Sequence, residues 1–535
     1  MRNERKIAVI SIAALLLAVL GLSLLTAVPH RTEHPNSYNA PLPAAPKTEN
    51  VMQGISQEDW SVDDTFSTHL PLIVIDTGNE RPPISTQQGE DGVFQLIPGV
   101  EPYRYGSIHV IDTGGLNNLK SEPDHVSPIA IKRRGNSSML YQKAQYLIKL
   151  QTESGQDNFL DLLDLGAECE WVLNGSMADK SMMRNYLSYR LASQFMPFTP
   201  DSRYCEVVYH ENGRYYYEGV YLLIESIKQG EERVAISESK SSDPYPSYIV
   251  RRDRFAEDDT ILDTWATQKG LRFTPDELNE HYLGLIYPTM KNATKETIDF
   301  VTGDISRIEK VLYSDDEHVF STYPRYIDVD SFIDYFIFNE FFGSYDAGIN
   351  STYMYKEVGG KLYMGPVWDL DNAMDNYKSE PLNVNVTAFQ IKPWFDRLIR
   401  DSDFLAKLEK RYTQLRRGPL SDENYLGTID AIVAHLGPAT DREWTRWAHV
   451  YTTFNRYSMQ NYGENHELVR NTDEFRQEVY RLKTSITQHA AAIGPYLRIL
   501  RKSTIVNTGL SIYSPLLLLV TVLVFLIPAF YASRK

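Results

Sequence analysis

The sequence predicts a two-lobed α+β fold, with a β-rich N-terminal lobe and a mostly helical C-terminal lobe, flanked by two transmembrane helices. Short apolar runs between turn residues dominate the first part of the chain, helical periodicity dominates from about residue 295, and long apolar runs stand near both ends. The predicted segments are a membrane anchor at 1–28, a flexible linker at 29–60, a β-rich lobe at 61–228, a helical lobe at 229–505 and a second membrane helix at 509–531.

The β-rich lobe is predicted from apolar runs of strand length and from one strong hairpin signal. Asn212 and Gly213 stand between two such runs, and this pair is typical of a tight β-turn. One helix is predicted at 178–195, where apolar residues recur at helical spacing. The predicted strands are 70–76, 107–112, 128–132, 146–150, 204–210 and 214–224.

The helical lobe is predicted from amphipathic or buried helices that enclose one further hairpin. Gly359 and Gly360 indicate the turn of that hairpin, whose strands we expect at 351–356 and 361–368. A β-rich lobe followed by a helical lobe predicts a functional site in the cleft between them. The predicted helices are 297–312, 330–342, 393–417, 425–436, 441–448 and 473–492.

Both ends of the chain contain apolar segments that are long enough to cross a bilayer as a helix. The first segment, at 7–28, follows three basic residues, Arg2, Arg5 and Lys6. We interpret it as an uncleaved anchor with a cytoplasmic N-terminus, and a cleaved signal peptide is the alternative. With a second span at 509–531, the central domain of this cell-membrane protein is expected outside the cytoplasm, although basic residues before the second span favour the opposite orientation.

The charge of the chain argues against nucleic acid as a partner. Its 54 basic and 70 acidic side chains give a net charge of −16, whereas neutralisation of phosphates requires a basic face. The chain has two cysteines, Cys169 and Cys205, which excludes a disulfide scaffold and a multi-cysteine metal site. The sequence leaves open whether the two form one disulfide.

Hard oxygen ligands are concentrated in two short segments of the helical lobe. Asp346 and Asn350 lie in the loop after a predicted helix, and two acids end the second strand of the hairpin, Asp369 and Asp371. Residues two apart on a strand point to the same side, so we expect both carboxylates to meet the loop residues at the strand end. Such ligands suit Mg²⁺ or Mn²⁺. The alternative for each single Asp is a cap of the following turn.

A second group of residues is basic and surrounds a glycine turn at 132–138. Arg134 precedes Gly135, two serines follow, and Lys143 and Lys149 come further along the chain, the latter on a predicted strand. Backbone N–H groups of such a turn, together with flanking cations, suit phosphate oxygens. The alternative is a basic hairpin turn that is exposed to solvent.

Five motifs occur in a fixed order between about residues 65 and 450. They are RRGNSS at 133–138 with YLIKL at 146–150, WVLNGSMADKSMMRNYLSYRLA at 171–192, EGVYLLIESI at 218–227, DYFIFNEFFGSYDAGINSTYMYK at 334–356 and GKLYMGPVWDLDNA at 360–373. Together they resemble the spore-coat-protein-H-like (CotH) kinase family. The resemblance implies a highly diverged protein-kinase-like fold and transfer of the γ-phosphoryl group of ATP, with Mg²⁺ or Mn²⁺, to Ser or Thr of protein partners, often coat or surface proteins.

The resemblance also implies roles for matching positions of this chain. Asp346 would be the catalytic-loop acid that orients or accepts the proton of the substrate hydroxyl, and Asp369 would hold the metal ion. Asn350 and Asp371 would be further metal ligands. The implied nucleotide contacts are Lys143 or Lys149 for phosphate, beside Arg134 of the basic turn, and Glu225 at the end of the strand that leads into the hinge at adenine. The alternative for Glu225 is a surface turn residue.

Departures from ordinary kinases leave two alternatives to this activity. The chain has no G-x-G-x-x-G and no His-Arg-Asp, and the helix predicted at 178–195 contains no Glu to pair with a strand lysine. One alternative is a non-catalytic scaffold or docking protein of the cell or spore surface. The other is a carboxylate-based glycoside hydrolase, which needs two carboxyl groups across a sugar-binding groove.

Overall fold

The apolar runs of the first half of the chain form the strands predicted for them, with shifted ends. The computed structural model describes residues 38, 40–46, 51–89, 94–135, 137–254, 260–270, 281–344, 346–376, 389–453 and 472–508. Within them the strands are, in chain order, β1 (Ser61–Val62), β2 (Leu72–Asp76), β3 (Thr86–Gln88), β4 (Phe94–Leu96), β5 (Arg104–Ile111), β6 (His125–Arg133), β7 (Tyr146–Leu150), β8 (Leu160–Asp161), β9 (Ala167–Glu168), β10 (Glu170–Asn174), β11 (Ser202–Glu211), β12 (Arg214–Glu225), β13 (Tyr248–Arg254), β14 (His281–Tyr287), β15 (Thr352–Lys356) and β16 (Leu362–Met364).

The predicted helices are present with changed bounds: the one at 441–448 extends to Thr453, the one at 473–492 extends to Thr508, and two others are shorter or divided. The helix at 178–195 begins only at Arg184, after a turn in which the carboxylate of Asp179 accepts the N–H groups of Ser181 and Arg184, at 3.0 and 2.8 Å. The helix at 393–417 is divided at Asp401, which caps its second part. The helices are α1 (Arg184–Ala192), α2 (Trp265–Gln268), α3 (Lys295–Leu312), α4 (Glu317–Phe320), α5 (Val329–Phe342), α6 (Phe395–Leu398), α7 (Ser402–Leu415), α8 (Asp422–Leu436), α9 (Pro438–Thr453) and α10 (Phe475–Thr508).

Seven of these strands close into a ring in the order β12, β10, β7, β6, β5, β2, β11, and β11 pairs again with β12. Only the β2–β11 pair within this ring is parallel. Alternate side chains point inward, and Ile148, Trp171 and Leu223 belong to the core that they form. Cys205 lies in this core, and it and Cys169 are buried free thiols that form no disulfide.

The closed sheet contradicts the predicted two-lobed, kinase-like α+β fold flanked by transmembrane helices. The β-rich part closes on itself, and the described residues from 40 onward cluster as one compact unit instead of two lobes. The closing contact is the parallel pairing of β2 with β11, which lie far apart in the chain. Alternation of apolar residues shows which face of a strand is buried, but it does not show that two distant strands pair. The sequence pattern therefore could not reveal the ring.

The described residues include no helix that combines the length and the apolar character needed to span a bilayer. This finding contradicts the predicted two-span localisation in the cell membrane with an extracytoplasmic central domain, and we do not retain that prediction. The apolar runs on which the prediction was based, 7–28 and 509–531, lie outside the described residues.

A second antiparallel sheet, in the order β14, β13, β15, β16, adjoins both acidic segments, since one precedes β15 and the other follows β16. Helix α5 ends at Gly343, which has a left-handed conformation (φ 59°) typical of a helix C-terminus. The loop after it leads into β15. Strands β15 and β16 form the predicted hairpin. The second strand is shorter than the predicted 361–368 and ends at Met364, so Asp369 and Asp371 lie in the segment after it and not at a strand end.

Helix α9 is attached to the ring through two adjacent buried ion pairs. Arg442 donates two hydrogen bonds, at 2.8 and 2.7 Å, to the carboxylate of Glu206 on β11. Glu443 pairs with Lys143 at 2.5 Å, and all four side chains have no exposed surface. Burial alone would raise the pKa of Glu206, but the charge and hydrogen bonds of Arg442 outweigh it and the pKa lies below its ordinary value.

We predict that Arg442→Ala strongly destabilises the protein, because it leaves the carboxylate of Glu206 buried without a counter-charge. The free energy of unfolding, measured by urea denaturation, should fall by about 3–5 kcal/mol. The control is Lys120→Ala, which removes an exposed pair with Asp64 and should change it by less than about 1 kcal/mol. A loss of similar size in both variants would contradict the role of the buried pair.

Candidate functional site

A polar cavity of about 490 Å³ lies between the ring and the segments around Asp346 and Asp369. Lys132, Leu147 and Val172 are cross-strand neighbours on β6, β7 and β10, and they line the cavity from the outer face of the ring. The side chains that point into the ring form its core. The side chains that point outward from the same strands line the cavity and can contact a ligand. The volume is within the range typical of small-molecule sites.

The cavity brings together the two acidic segments that the sequence singled out. Asp346, Asn350, Asp369 and Asp371 all line it. The carboxylate of Asp346 accepts hydrogen bonds from the amide nitrogen of Asn350 at 3.3 Å and from that of Asn372 at 2.6 Å. The sequence reasoning missed Asn372, and its position directly after the paired acids was the one signal that could have found it. Both oxygens of Asp346 are therefore held by side-chain amides.

Asp369 is partly buried and held in a strained backbone conformation. Its φ of 62° is unusual for a residue other than glycine. Its N–H donates to the hydroxyl of Tyr189 at 3.3 Å, and its carboxylate accepts the hydroxyl of Ser351 at 3.3 Å. Burial, and then the charge of Asp346, raise the pKa of Asp369, while Arg134 acts in the opposite direction. A bound cation would offset the repulsion that raises this pKa.

The oxygen atoms at this end of the cavity fit a divalent cation. Asn350 is 6% exposed, and its buried side-chain oxygen has no hydrogen-bond partner among the residues that the structure describes. An orphaned amide oxygen beside carboxylates is suited to Mg²⁺ or Mn²⁺. Among the described residues, no three His, Cys, Asp or Glu side chains are gathered closely enough to hold an ion. A cation at this place would therefore have to use the amide oxygen of Asn350 as well as Asp369, and Asp371 lines the same cavity.

Two buried arginines hold the backbone of the acidic loop, which we define as residues 365–376. Arg184 of α1 donates to the carbonyl oxygens of Ala373 and Met374, at 3.0 and 3.3 Å. Arg481 of α10 donates to the carbonyl oxygen of the next residue at 2.6 Å. Consecutive carbonyls of the loop are thus bound by helices that lie almost 300 residues apart in the sequence.

Glu478 links these two arginines. Its carboxylate lies 2.9 Å from Arg184 and 2.7 Å from Arg481, and all three side chains are at most 3% exposed. Burial opposes ionisation, but the two guanidinium groups outweigh it and hold the pKa of Glu478 far below its ordinary value. Met374 and Asp375 have positive φ angles of 56° and 60°, a strain that persists only where surrounding contacts fix it. The network supplies those contacts.

The basic turn borders the opposite side of the cavity. The guanidinium of Arg134 lies over the ring of Trp368 at 5.3 Å, and Trp368 stacks on Tyr189. Gly135 has a φ of 96°, and a Cβ there would lie 1.9 Å from the hydroxyl of Ser138, so only glycine fits this turn. Arg134 is thereby fixed with its charge near Asp369.

Three of the predicted nucleotide contacts lie outside the cavity lining. Lys143 is paired beneath α9 as described above. Lys149 is 42% exposed and lies 3.7 Å from Glu170, which does line the cavity. Glu225 pairs with Arg233 at 2.6 Å, and the two residues that follow Glu225 line the cavity. Of the four predicted nucleotide contacts, Arg134 is the one that faces the acidic residues.

Comparison with known proteins identifies the family. A search of curated proteins gave no match. A family model described as CotH kinase protein matches residues 131–493, a range that includes the basic turn, α1, both acidic segments and the first part of α10. Because this match covers more than half of the chain, the protein belongs to the CotH kinase family.

Proposed function

We propose that the protein is a metal-dependent kinase that transfers the γ-phosphoryl group of ATP to Ser or Thr hydroxyl groups of a protein. Membership of the CotH kinase family suggests a kinase-related function. The observation that most strongly supports the finer proposal is the meeting of Asp346, Asn350 and Asp369 in one cavity that Arg134 also lines. Kinases require a proton acceptor, metal ligands and a phosphate-binding cation in such proximity.

Asp346 is the proposed proton acceptor. Its two oxygens are bound by the amides of Asn350 and Asn372, so the carboxylate keeps one orientation toward the cavity. The carboxylate then positions the hydroxyl of the acceptor side chain and takes up the proton of this hydroxyl during transfer.

Asp369 and Asn350 are the proposed ligands of Mg²⁺ or Mn²⁺, with Asp371 as a further ligand. When bound, such an ion neutralises charge on the phosphate oxygens. Arg134 adds a guanidinium that rests on Trp368 and is suited to bind phosphate. The tight turn at Gly135 lets backbone N–H groups approach the same phosphate oxygens.

We further propose that the acceptor is a coat or surface protein, on the basis of the motif resemblance. The position of Lys143 favours one competing candidate, a non-catalytic scaffold. Ordinary kinases use a strand lysine to bind phosphate, whereas Lys143 is paired with Glu443 away from the cavity. The two proposals differ in whether nucleotide binds and whether phosphate is transferred.

Asp346→Asn and Asp369→Asn should each lower phosphoryl transfer by at least about 100-fold, because they remove the proton acceptor and a metal ligand. The measurement is incorporation of label from γ-radiolabelled ATP into casein by the full chain, with Mn²⁺ present. The control is Asp430→Asn, which removes a carboxylate of α8 that pairs with Lys483 and should leave the rate unchanged. Equal incorporation by all four proteins would refute the assignment. No incorporation, together with no ATP-dependent thermal shift, would favour the scaffold.

Mn²⁺ should stabilise the protein through Asn350 and Asp369. A ligand at about 100 times its Kd adds roughly 2.7 kcal/mol of stability. We therefore expect a higher thermal midpoint with Mn²⁺ and its reversal by a chelator. Asn350→Ala and Asp369→Asn should abolish the rise, whereas Asp430→Asn should keep it. If all variants respond like the unchanged protein, the ion binds elsewhere.

A further inference from the structure

Asn372 connects the acidic loop to the loop after α5. It lines the cavity and is 7% exposed. Its amide nitrogen donates to one oxygen of Asp346 at 2.6 Å, which is a short distance for a hydrogen bond from nitrogen to oxygen. The two residues are 26 positions apart in the chain. This contact is thus a direct link between the proposed proton acceptor and the segment that contains the proposed metal ligands.

The bond determines how the carboxylate of Asp346 is oriented. Its other oxygen accepts the amide nitrogen of Asn350, at the longer distance of 3.3 Å. With one donor removed, the carboxylate could rotate about its terminal bond, which has a broad torsional preference. A side-chain amide suits the position, because its nitrogen can only donate, whereas a carboxylate at position 372 would repel Asp346.

The backbone on both sides of Asn372 is itself fixed. The carbonyl oxygen of Asp371 accepts the amide nitrogen of Asn376 at 2.7 Å. The carbonyl oxygen of Ala373 accepts Arg184 at 3.0 Å. Supporting bonds of this kind hold a functional side chain within the small displacements that catalysis tolerates.

We propose that Asn372 is a positioning residue that holds the carboxylate of Asp346 in the orientation needed to receive the proton of the acceptor hydroxyl. The inference rests on the proposed kinase function. It assigns to Asn372 a contribution to the rate of transfer, because its amide contacts the carboxylate of the proposed proton acceptor.

The test compares Asn372→Ala and Asn372→Asp in the full chain, with γ-radiolabelled ATP and Mn²⁺. We expect kcat to fall by about 10- to 100-fold in the Ala variant, as misplacement of a reacting group does, and at least as far in the Asp variant. The KM for ATP should stay within about two-fold. The Asp variant has nearly the same shape, so it keeps the test valid if the Ala variant folds poorly.

Asn339→Ala is the matched control. Asn339 is 2% exposed, and its amide donates to a carbonyl of its own helix α5 at 2.8 Å, so kcat should be unchanged. Unchanged kcat in both Asn372 variants of an active protein would overturn the inference and leave the kinase proposal standing. A parallel change of kcat and KM for ATP would also overturn it, because it indicates a general structural defect. Absence of transfer by the unchanged protein would instead overturn the proposed function, and the inference with it.

Discussion

Glu478 lies between two buried guanidinium groups, and the position of the acidic loop depends on this arrangement. Arg184 and Arg481 each bind backbone carbonyls of the loop, and both pair with the carboxylate of Glu478. Asp179 is a further counter-charge for Arg184, and Asp375 is one for Arg481. Burial of an arginine without a counter-charge has a high free-energy cost. The loop, α1 and α10 therefore depend on one another for their stability. The strained φ angles of the loop are maintained by the same contacts.

This arrangement places the site where separate parts of the chain meet. Strands β6, β7 and β10 provide one wall of the cavity, helix α5 leads to Asp346, and the hairpin of β15 and β16 leads to Asp369. Asn372 joins the two acidic segments through Asp346. The side chains that would bind phosphate and metal therefore lie on separate structural elements, and each element is held in place by its own contacts. This limits how far these side chains can move relative to one another.

The sequence indicated the acidic part of the site well and the rest of it poorly. The concentration of oxygen ligands in two short segments predicted that Asp369 and Asp371 meet Asp346. The rule that residues two apart on a strand share a face does not explain this meeting, because both acids lie in the loop after β16 and not on a strand. The positive φ of Asp369 and the amide of Asn372 depend on contacts with α1 and with another loop, which no local pattern specifies. Lys143 was interpreted as a phosphate ligand from its place near the glycine turn. Its partner Glu443 is 300 positions away, so its burial could not be read from spacing.

The central claim is that Asn350 and Asp369 bind one divalent ion beside Asp346. Anomalous diffraction from crystals of the full chain soaked in Mn²⁺ measures this directly. The account predicts a manganese peak about 2.1 Å from the side-chain oxygen of Asn350 and from an oxygen of Asp369. A peak elsewhere in the cavity, with both of these oxygens uncoordinated, would contradict it.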